Sequence, residues 1–468
     1  MTEHIAQLSE LISKAAHTLQ SLSSNNVNGP TFPELDDLYN PTSEEFRSNP
    51  DAALAANVIV EAAFQLIACV RPPTHSIFHH VCGHIKASAL RVCIESNIVE
   101  ALREGGSEGM HVNDIAKAVN LPPEKLGRIL RYLATNHIFR EMEPDVFCNN
   151  RISSVLDSKK SIKDIISAPE HKHDNTDGFV ALMELFGGDL HKSSGYLLEN
   201  LQDPVTSASE EPFHAPIQRA FNIDVPMFEW YKRSEQEPRR RRFMVAMQGT
   251  SVLQPEADLL KCMDWNDISP DSLVVEVGGG LGLSCLTVAR AFPQMRFEIQ
   301  DRQEVVSRGK SAWDAIDTKL TDRVHFRAHN YLDPQPAKTA AVFVLKHVIH
   351  NVSDPYALEV LKQLRGAAAP TTRLLLVDSI VPYACHARDN SESIDIASNV
   401  APSLLPNFGA VNERVYISDL TMMLNLNAQE RTLSHVQSLL EKSGWKINVI
   451  MKRDDTDSFM QPMTAVPV

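Results

Sequence analysis

The segment from Val274 to Arg302 constrains the fold more than any other. It opens on a β-branched run, LVVEV, passes through Gly278, Gly279, Gly280 and Gly282, continues as the helical stretch LSCLTVARAF, and closes on MRFEIQD. A strand, a tight glycine turn, a helix and a second strand form one parallel α/β unit, because parallel strands require a crossover connection. Glycines allow the chain to turn sharply and to come close to a ligand. Asp301, about twenty residues beyond the last glycine, falls where ribose hydroxyls need an acceptor. A nucleoside cofactor is expected here, although a glycine loop alone is also compatible with a purely structural turn.

Glu276 narrows the choice of cofactor. The order Glu276, Gly278, Gly280, Gly282 reads E-x-G-x-G-x-G, whereas a dinucleotide site more often reads G-x-G-x-x-G and opens directly onto a pyrophosphate. A carboxylate at that point repels phosphate. It suits the ammonium and sulfonium charges of S-adenosylmethionine, which is the expected cofactor.

Further short apolar runs follow, in RVHFRAHNY, AAVFVLKHV and TRLLLVDSIV, alternating with helical stretches, so a parallel α/β sheet is predicted from about Ser272 onward. The last segment, WKINVIMKRDDTDSFMQPMTAV, supplies two closing strands. With 468 residues the chain is too long for one domain. Residues 1–50 read as a helix and a Ser/Asn/Pro-rich linker. Residues 51–160 begin with helical periodicity (Leu54, Val58, Ala62, Leu66) and go on in the order of a winged helix, with a helix ending near Leu102, then VNDIAKAVN, then PPEKLGRILRYLATN, and a wing around IFREMEPDVFCNN. Residues 161–250 read as a helical connecting region forming a substrate pocket, and 251–468 as the Rossmann-like domain.

A winged helix can read DNA, but a formal charge of −14 and a third helix offering only Lys125, Arg128 and Arg131 argue against it. Packing between protein surfaces is the better reading, with a homodimer as the expected assembly and no nucleic-acid partner. The Arg239–Arg242 run opens a helical pattern and reads as a solvated helix start. The N-terminus lacks the basic start and unbroken apolar stretch of a secretory signal, and no run of eighteen apolar residues is present, so a cytoplasmic protein without a membrane partner is expected. Seven scattered cysteines without a Cys-x-x-Cys pair fit a reducing compartment. The ligands expected are small molecules.

On the glycine loop VEVGGGLG with Asp301, and on the segments LKHVIHNVSD, LLLVDSIVP and NAQERT that follow it in that order, the chain resembles the plant and fungal caffeate-type O-methyltransferases from about Ala53 to its C-terminus. The resemblance implies a class I methyltransferase domain behind a dimerisation domain, and a hydroxylated aromatic or polyketide-type natural product of secondary metabolism as substrate. The family's cofactor loop corresponds to VEVGGGLG, its ribose-binding acid to Asp301 with Arg302 beside it, and its G-D-x-F block to His329, Asn330, Tyr331 and Leu332. Its adenine-side lysine falls on Lys346 in LKHVIHNVSD and its catalytic base on His350. The two carboxylates flanking that base align with Asp378 in LLLVDSIVP and Glu430 in NAQERT. A phenol or enol is a weak nucleophile until deprotonated, and histidine titrates near neutrality, so the assignment is chemically coherent.

The sequence also departs from the family pattern. The H-D-W block reads His350, Asn351, Val352, and the G-D-x-F acid is Asn330. These changes keep open a second chemistry, in which the cofactor serves as a bound cation and, with a catalytic donor such as Lys346, polarises a carbonyl or quinone methide for dehydration or pericyclic ring closure; a third reading is a non-catalytic cofactor-binding dimer, against which His350, Asp378 and Glu430 together argue. His75, His79, His80 and His84 read as core or interface histidines and not as metal ligands, and no metal is expected. His171 and His173, in HKH, fall in a surface turn or, by resemblance, at the roof of the substrate pocket. Met422 and Met423 read as packing residues, although the family's pocket wall runs through this region.

Overall fold

The computed structural model describes residues 3–24, 32–253, 258–316, 320, 322–385, 401–451 and 460–468. The chain forms two compact units. One comprises Met1–Tyr196 with Phe228–Gln254, and the other Leu197–Met227 with Pro255–Val468. The stretch 161–250, expected as one connecting region, is therefore divided: 197–227 belongs with the second unit and the rest with the first.

The second unit is built on a seven-stranded sheet. Its strands are β4 (Leu273–Val277), β5 (Arg296–Asp301), β6 (Val324–Ala328), β7 (Val342–Lys346), β8 (Arg373–Ser379), β9 (Trp445–Ile450) and β10 (Met460–Pro467), in the order β6-β5-β4-β7-β8-β10-β9. All pairings from β6 to β8 are parallel, and β10 runs antiparallel to both β8 and β9. The central strands carry apolar side chains toward both faces because both faces are covered. Val275, Phe343, Leu345 and Leu376 pack with Leu361, Leu364 and Leu440. Val274, Phe297, Val344 and Leu375 pack with Cys285, Val288 and Trp313. Each such side chain contributes about 1.5–3 kcal/mol by leaving water. The chain runs outward from β4 to β6 and then returns to the other side of β4 with β7, so the sheet reverses direction between β4 and β7. In open parallel sheets ligands bind outside the carboxyl ends of the strands at this reversal, and both the glycine loop and the Lys346–His350 segment emerge there.

The first unit contains the winged helix. Helices Gly83–Glu95 and Ile98–Gly105 precede β1 (Met110–His111), helices Val112–Val119 and Pro123–Thr135 follow it, and β2 (Arg140–Glu143) and β3 (Val146–Cys148) complete a small antiparallel sheet ordered β1-β3-β2. The helix read as continuous up to Leu102 is in fact broken at Asn97, which adopts φ 61. Asparagine tolerates this left-handed conformation better than other side chains with a Cβ, so it interrupts the helix without disturbing the apolar period on either side.

Three expectations change in this unit. The helix Pro50–Val70 is, by length and composition, apolar enough to cross a membrane, which the count of uninterrupted apolar residues did not reveal. It packs along the helix Glu3–Ser24, with Asn57 and Glu61 buried and Gln65 bonded to His4, while Phe64, Ile67 and Val70 are exposed. Its side of small residues, with Asn57 and Glu61 among alanines, thus faces the fold, and its large apolar side chains face outward. His75, His79, His80 and His84 are exposed in the single chain, not in its core. The Arg239–Arg242 run is not simply solvated: Arg239 and Arg242 both pair with buried Asp189, at 3.2 and 2.9 Å, and Arg241 pairs with Asp174.

Candidate active site

The loop after β4 is held in place by backbone hydrogen bonds. Gly278 and Gly279 N–H both donate to Gln300 O at the end of β5, and Gly280 N–H donates to Asp301 Oδ2 at 2.8 Å. Gly280 has φ 59, and a Cβ built there meets no atom within 4 Å, so the loop faces open space at this point. Gly282, at φ 74, starts the helix Leu283–Ala291. Glu276 is buried beneath the loop, next to Cys285, whose thiol is pushed up by burial and then by the Glu276 charge. Lys346 Nζ donates to Ser284 Oγ at 3.1 Å, which brings the end of β7 to the first turn of that helix.

The remaining residues expected at the cofactor lie along the same edge. Asp301 Oδ1 accepts from Arg302 N–H at 2.7 Å, and His329 N–H donates to Asp301 O. Asn330 is exposed and uses Oδ1 to cap its own turn at Leu332 N–H; Tyr331 is half-buried, and burial pushes its hydroxyl pKa up. Two carboxylates around an open glycine loop at the reversal of the sheet fit a cationic nucleoside with a ribose to bind.

The second cluster is centred on His350. Its Nδ1 lies 2.9 Å from Glu430 Oε1, which also accepts from Ser418 Oγ at 2.8 Å, and Glu430 N–H donates to Asp419 Oδ1 at 2.9 Å. Nδ1 being engaged, Nε2 is the nitrogen left for a substrate. Burial on its own would lower the imidazole pKa. The Glu430 charge and hydrogen bond, with Asp378 behind them, outweigh burial and hold His350 at about 9. Asp378 is itself buried, neither of its carboxylate oxygens has a hydrogen-bond partner among the described residues, and burial raises its pKa to about 7 against the pull of His350.

Arg431, which the sequence reading passed over, fixes the loop that carries the base. It is buried, donates from Nη1 to Ile349 O at 2.6 Å and from Nη2 to Val352 O at 2.8 Å, and places Nε 3.0 Å from Asp354 Oδ1. Asp354 is held on its other oxygen by His435 Nε2 at 2.7 Å. Glu430 therefore holds the base's ring while its neighbour in sequence holds the backbone on both sides of that ring. The available signal was a lone arginine directly after a candidate carboxylate.

Asn351, which stands where the family has an acid, donates from Nδ2 to His347 O at 2.8 Å, and Val352 packs partly buried against the hydrophobic core. Met422 lies on the helix Glu413–Leu426, one turn beyond Ser418 on the same face, and is half-buried. His171 belongs to the first unit. Its ring is largely exposed and is bonded to Asp174 at 2.7 Å and to Arg241 at 2.9 Å. Among the described residues no group of three or more His, Cys, Asp or Glu has the arrangement of a metal site.

With this geometry, comparisons with known proteins give the class. The sequence model of the O-methyltransferase domain matches residues 198–446, and that of the O-methyltransferase dimerisation domain matches residues 78–159. A "4-O-methyltransferase 1" of Phanerochaete chrysosporium is 38% identical over the whole of both chains. Among solved structures, the mitomycin 7-O-methyltransferase MmcR is 21% identical with a TM-score of 0.62, covering 84% of this chain and 98% of its own. A protein described as "a pericyclic reaction enzyme" is 17% identical with a TM-score of 0.66, covering 98% and 100%. The chain belongs to the S-adenosylmethionine-dependent O-methyltransferase family of secondary metabolism.

Proposed function

We propose that this enzyme methylates a hydroxyl of an aromatic or polyketide-type natural product, with His350 as the general base. The observation that carries this reading is the 2.9 Å bond between His350 Nδ1 and Glu430, which orients the imidazole and leaves Nε2 for the acceptor. The full-length relative whose name specifies a 4-O position supports methyl transfer to oxygen and suggests a ring position.

In this reading Asp301 and Arg302 receive the ribose, Asn330, Tyr331 and Lys346 line the adenine side, and Gly278 and Gly280 allow close approach. Glu276 faces the cationic end. S-adenosylmethionine, when bound, supplies an activated methyl group. His350 takes the hydroxyl proton, and Glu430 and Asp378 stabilise the imidazolium that results. Arg431 keeps the ring in place, so positioning contributes alongside the proton transfer. Met422 contributes to the wall of the acceptor pocket.

One observation favours a second reading. A histidine held at about 9 is protonated at neutral pH and is a proton donor as well as a latent base, which suits dehydration and pericyclic closure without methyl loss. Incubation with candidate phenols and labelled cofactor separates the two. Methyl transfer predicts equal amounts of methylated product and S-adenosylhomocysteine; an isomeric or dehydrated product without S-adenosylhomocysteine overturns it.

We also propose that the protein is a cytoplasmic homodimer whose interface includes Phe64, Ile67, Ile77, Phe78, Val81 and Ile85, an exposed apolar face next to and within the region matched by the dimerisation domain. Light scattering at micromolar concentration is expected to give twice the 52.1 kDa chain mass. Phe78→Glu should shift the value toward one chain, and a wild-type monomer would exclude the dimer.

A further inference from the structure

The loop that presents His350 carries a second imidazole which the proton transfer does not use. His347 directly follows β7, at the carboxyl edge of the sheet, and has φ 55, a conformation rare for a side chain with a Cβ. This geometry is held from both sides: His347 N–H donates to Val377 O at 3.2 Å, and its carbonyl accepts from Asn351 Nδ2 at 2.8 Å. The next two residues, Val348 and Ile349, are buried, whereas His347 is exposed. Its ring lies beside that of His350, with centroids 5.1 Å apart and planes inclined by 41°. The charged groups around it are His350, Lys346 and Glu430. Solvent reaches the residue, and the protein packed around it partly desolvates the ring. That desolvation, followed by the charges of His350 and Lys346, lowers its pKa and keeps it neutral. A neutral imidazole has one donor and one acceptor nitrogen, so it can bond either a hydroxyl or an ether oxygen.

We propose that His347 contacts the acceptor directly, hydrogen-bonding the oxygen next to the one that is methylated, so that the site selects rings carrying two adjacent oxygens. With centroids 5.1 Å apart, the two rings are close enough for one arene to meet both. Left-handed backbone at 347 turns the second ring to the side of the first, which gives the strained conformation a function. This inference rests on the aromatic-acceptor reading above.

The test compares vanillate, with adjacent methoxy and hydroxyl groups, with 4-hydroxybenzoate, which has the hydroxyl alone. Calorimetry with S-adenosylhomocysteine present gives their affinities, and kcat/KM is measured in parallel. The wild type is expected to prefer vanillate roughly 3–10-fold, the contribution of one neutral hydrogen bond. His347→Asn suits the left-handed backbone but is too short to reach the ring oxygen, and it should bring the preference within about twofold, with cofactor affinity unchanged. His347→Phe, which keeps a ring but no polar atom, should do the same if it folds. A preference retained in His347→Asn, an equal loss for both acceptors, or no preference in the wild type overturns the proposal. Vanillate preference without any S-adenosylhomocysteine formed from S-adenosylmethionine would instead sink the methyl-transfer reading and leave the role of His347 standing.

Discussion

Replacing His350 by alanine is expected to lower methyl-transfer turnover roughly 10²–10⁴-fold, the usual contribution of a positioned base, with cofactor affinity nearly unchanged. The wild-type pH profile should reveal the same group. The base works in its neutral form, and Glu430 holds the imidazole at about 9 despite burial, so kcat/KM should rise with pH along a limb that bends near 9. Glu430→Gln removes the charge that raises the pKa and leaves burial as the main influence, which lowers it. The limb should then move below the ordinary imidazole value. The plateau rate should also fall, because a weaker base accepts the proton and no hydrogen-bonded carboxylate supports the imidazolium. Asp378 does not replace Glu430, since its buried carboxyl ionises only at about 7 and makes no hydrogen bond to the ring. An unaltered rate in His350→Ala, or a limb that stays in place in Glu430→Gln, would exclude His350 as the base.

The parts of the fold readable from the sequence are those in which side-chain chemistry alone sets the outcome. LVVEV and RLLLVDS are largely apolar on both faces, so a covered parallel strand is their natural fate, and a glycine at 280 with an acid at 301 marks the loop that follows LVVEV. Direction is harder to read. Periodicity in Pro50–Val70 defines a stripe but not the side on which the fold lies, and here the fold takes the side of Asn57 and Glu61. Arg431 was missed because, besides the distant Asp354, its partners are backbone carbonyls, Ile349 O and Val352 O, which leave no trace in residue types. His347 was visible as a histidine near a histidine. What orients it is a backbone angle set where β7 turns toward His350. The HKH segment failed to declare its partners for a related reason: Asp174 is close in sequence, but Arg241 and Glu184 reach it only through the tertiary fold.

That last partner carries the largest stability effect expected in the molecule. Glu184 is buried on the helix Phe179–Leu185 and accepts from Lys172 Nζ and His173 Nε2, each at 2.9 Å. Lys172 is buried as well and donates also to Ile94 O at 2.7 Å, so the pair ties the 172–173 turn to two helices. Burial on its own would raise the carboxyl pKa; His173 and Lys172 together more than offset it and hold Glu184 at about 2. Removing one member of a buried pair leaves the other charge in low dielectric without compensation. Glu184→Leu is therefore expected to cost about 3–5 kcal/mol in urea unfolding. Glu184→Leu combined with Lys172→Met should recover most of that loss, since no ammonium then remains to be solvated. The sign of the pH dependence follows from the lowered carboxyl value. The stabilisation is complete above the unfolded value of 4.5 and disappears as pH falls from there toward about 2. The gap between wild type and Glu184→Leu should narrow over the same interval. A single variant losing less than about 1 kcal/mol, the scale of an exposed pair, would show that the buried ion pair is not what holds this turn in place.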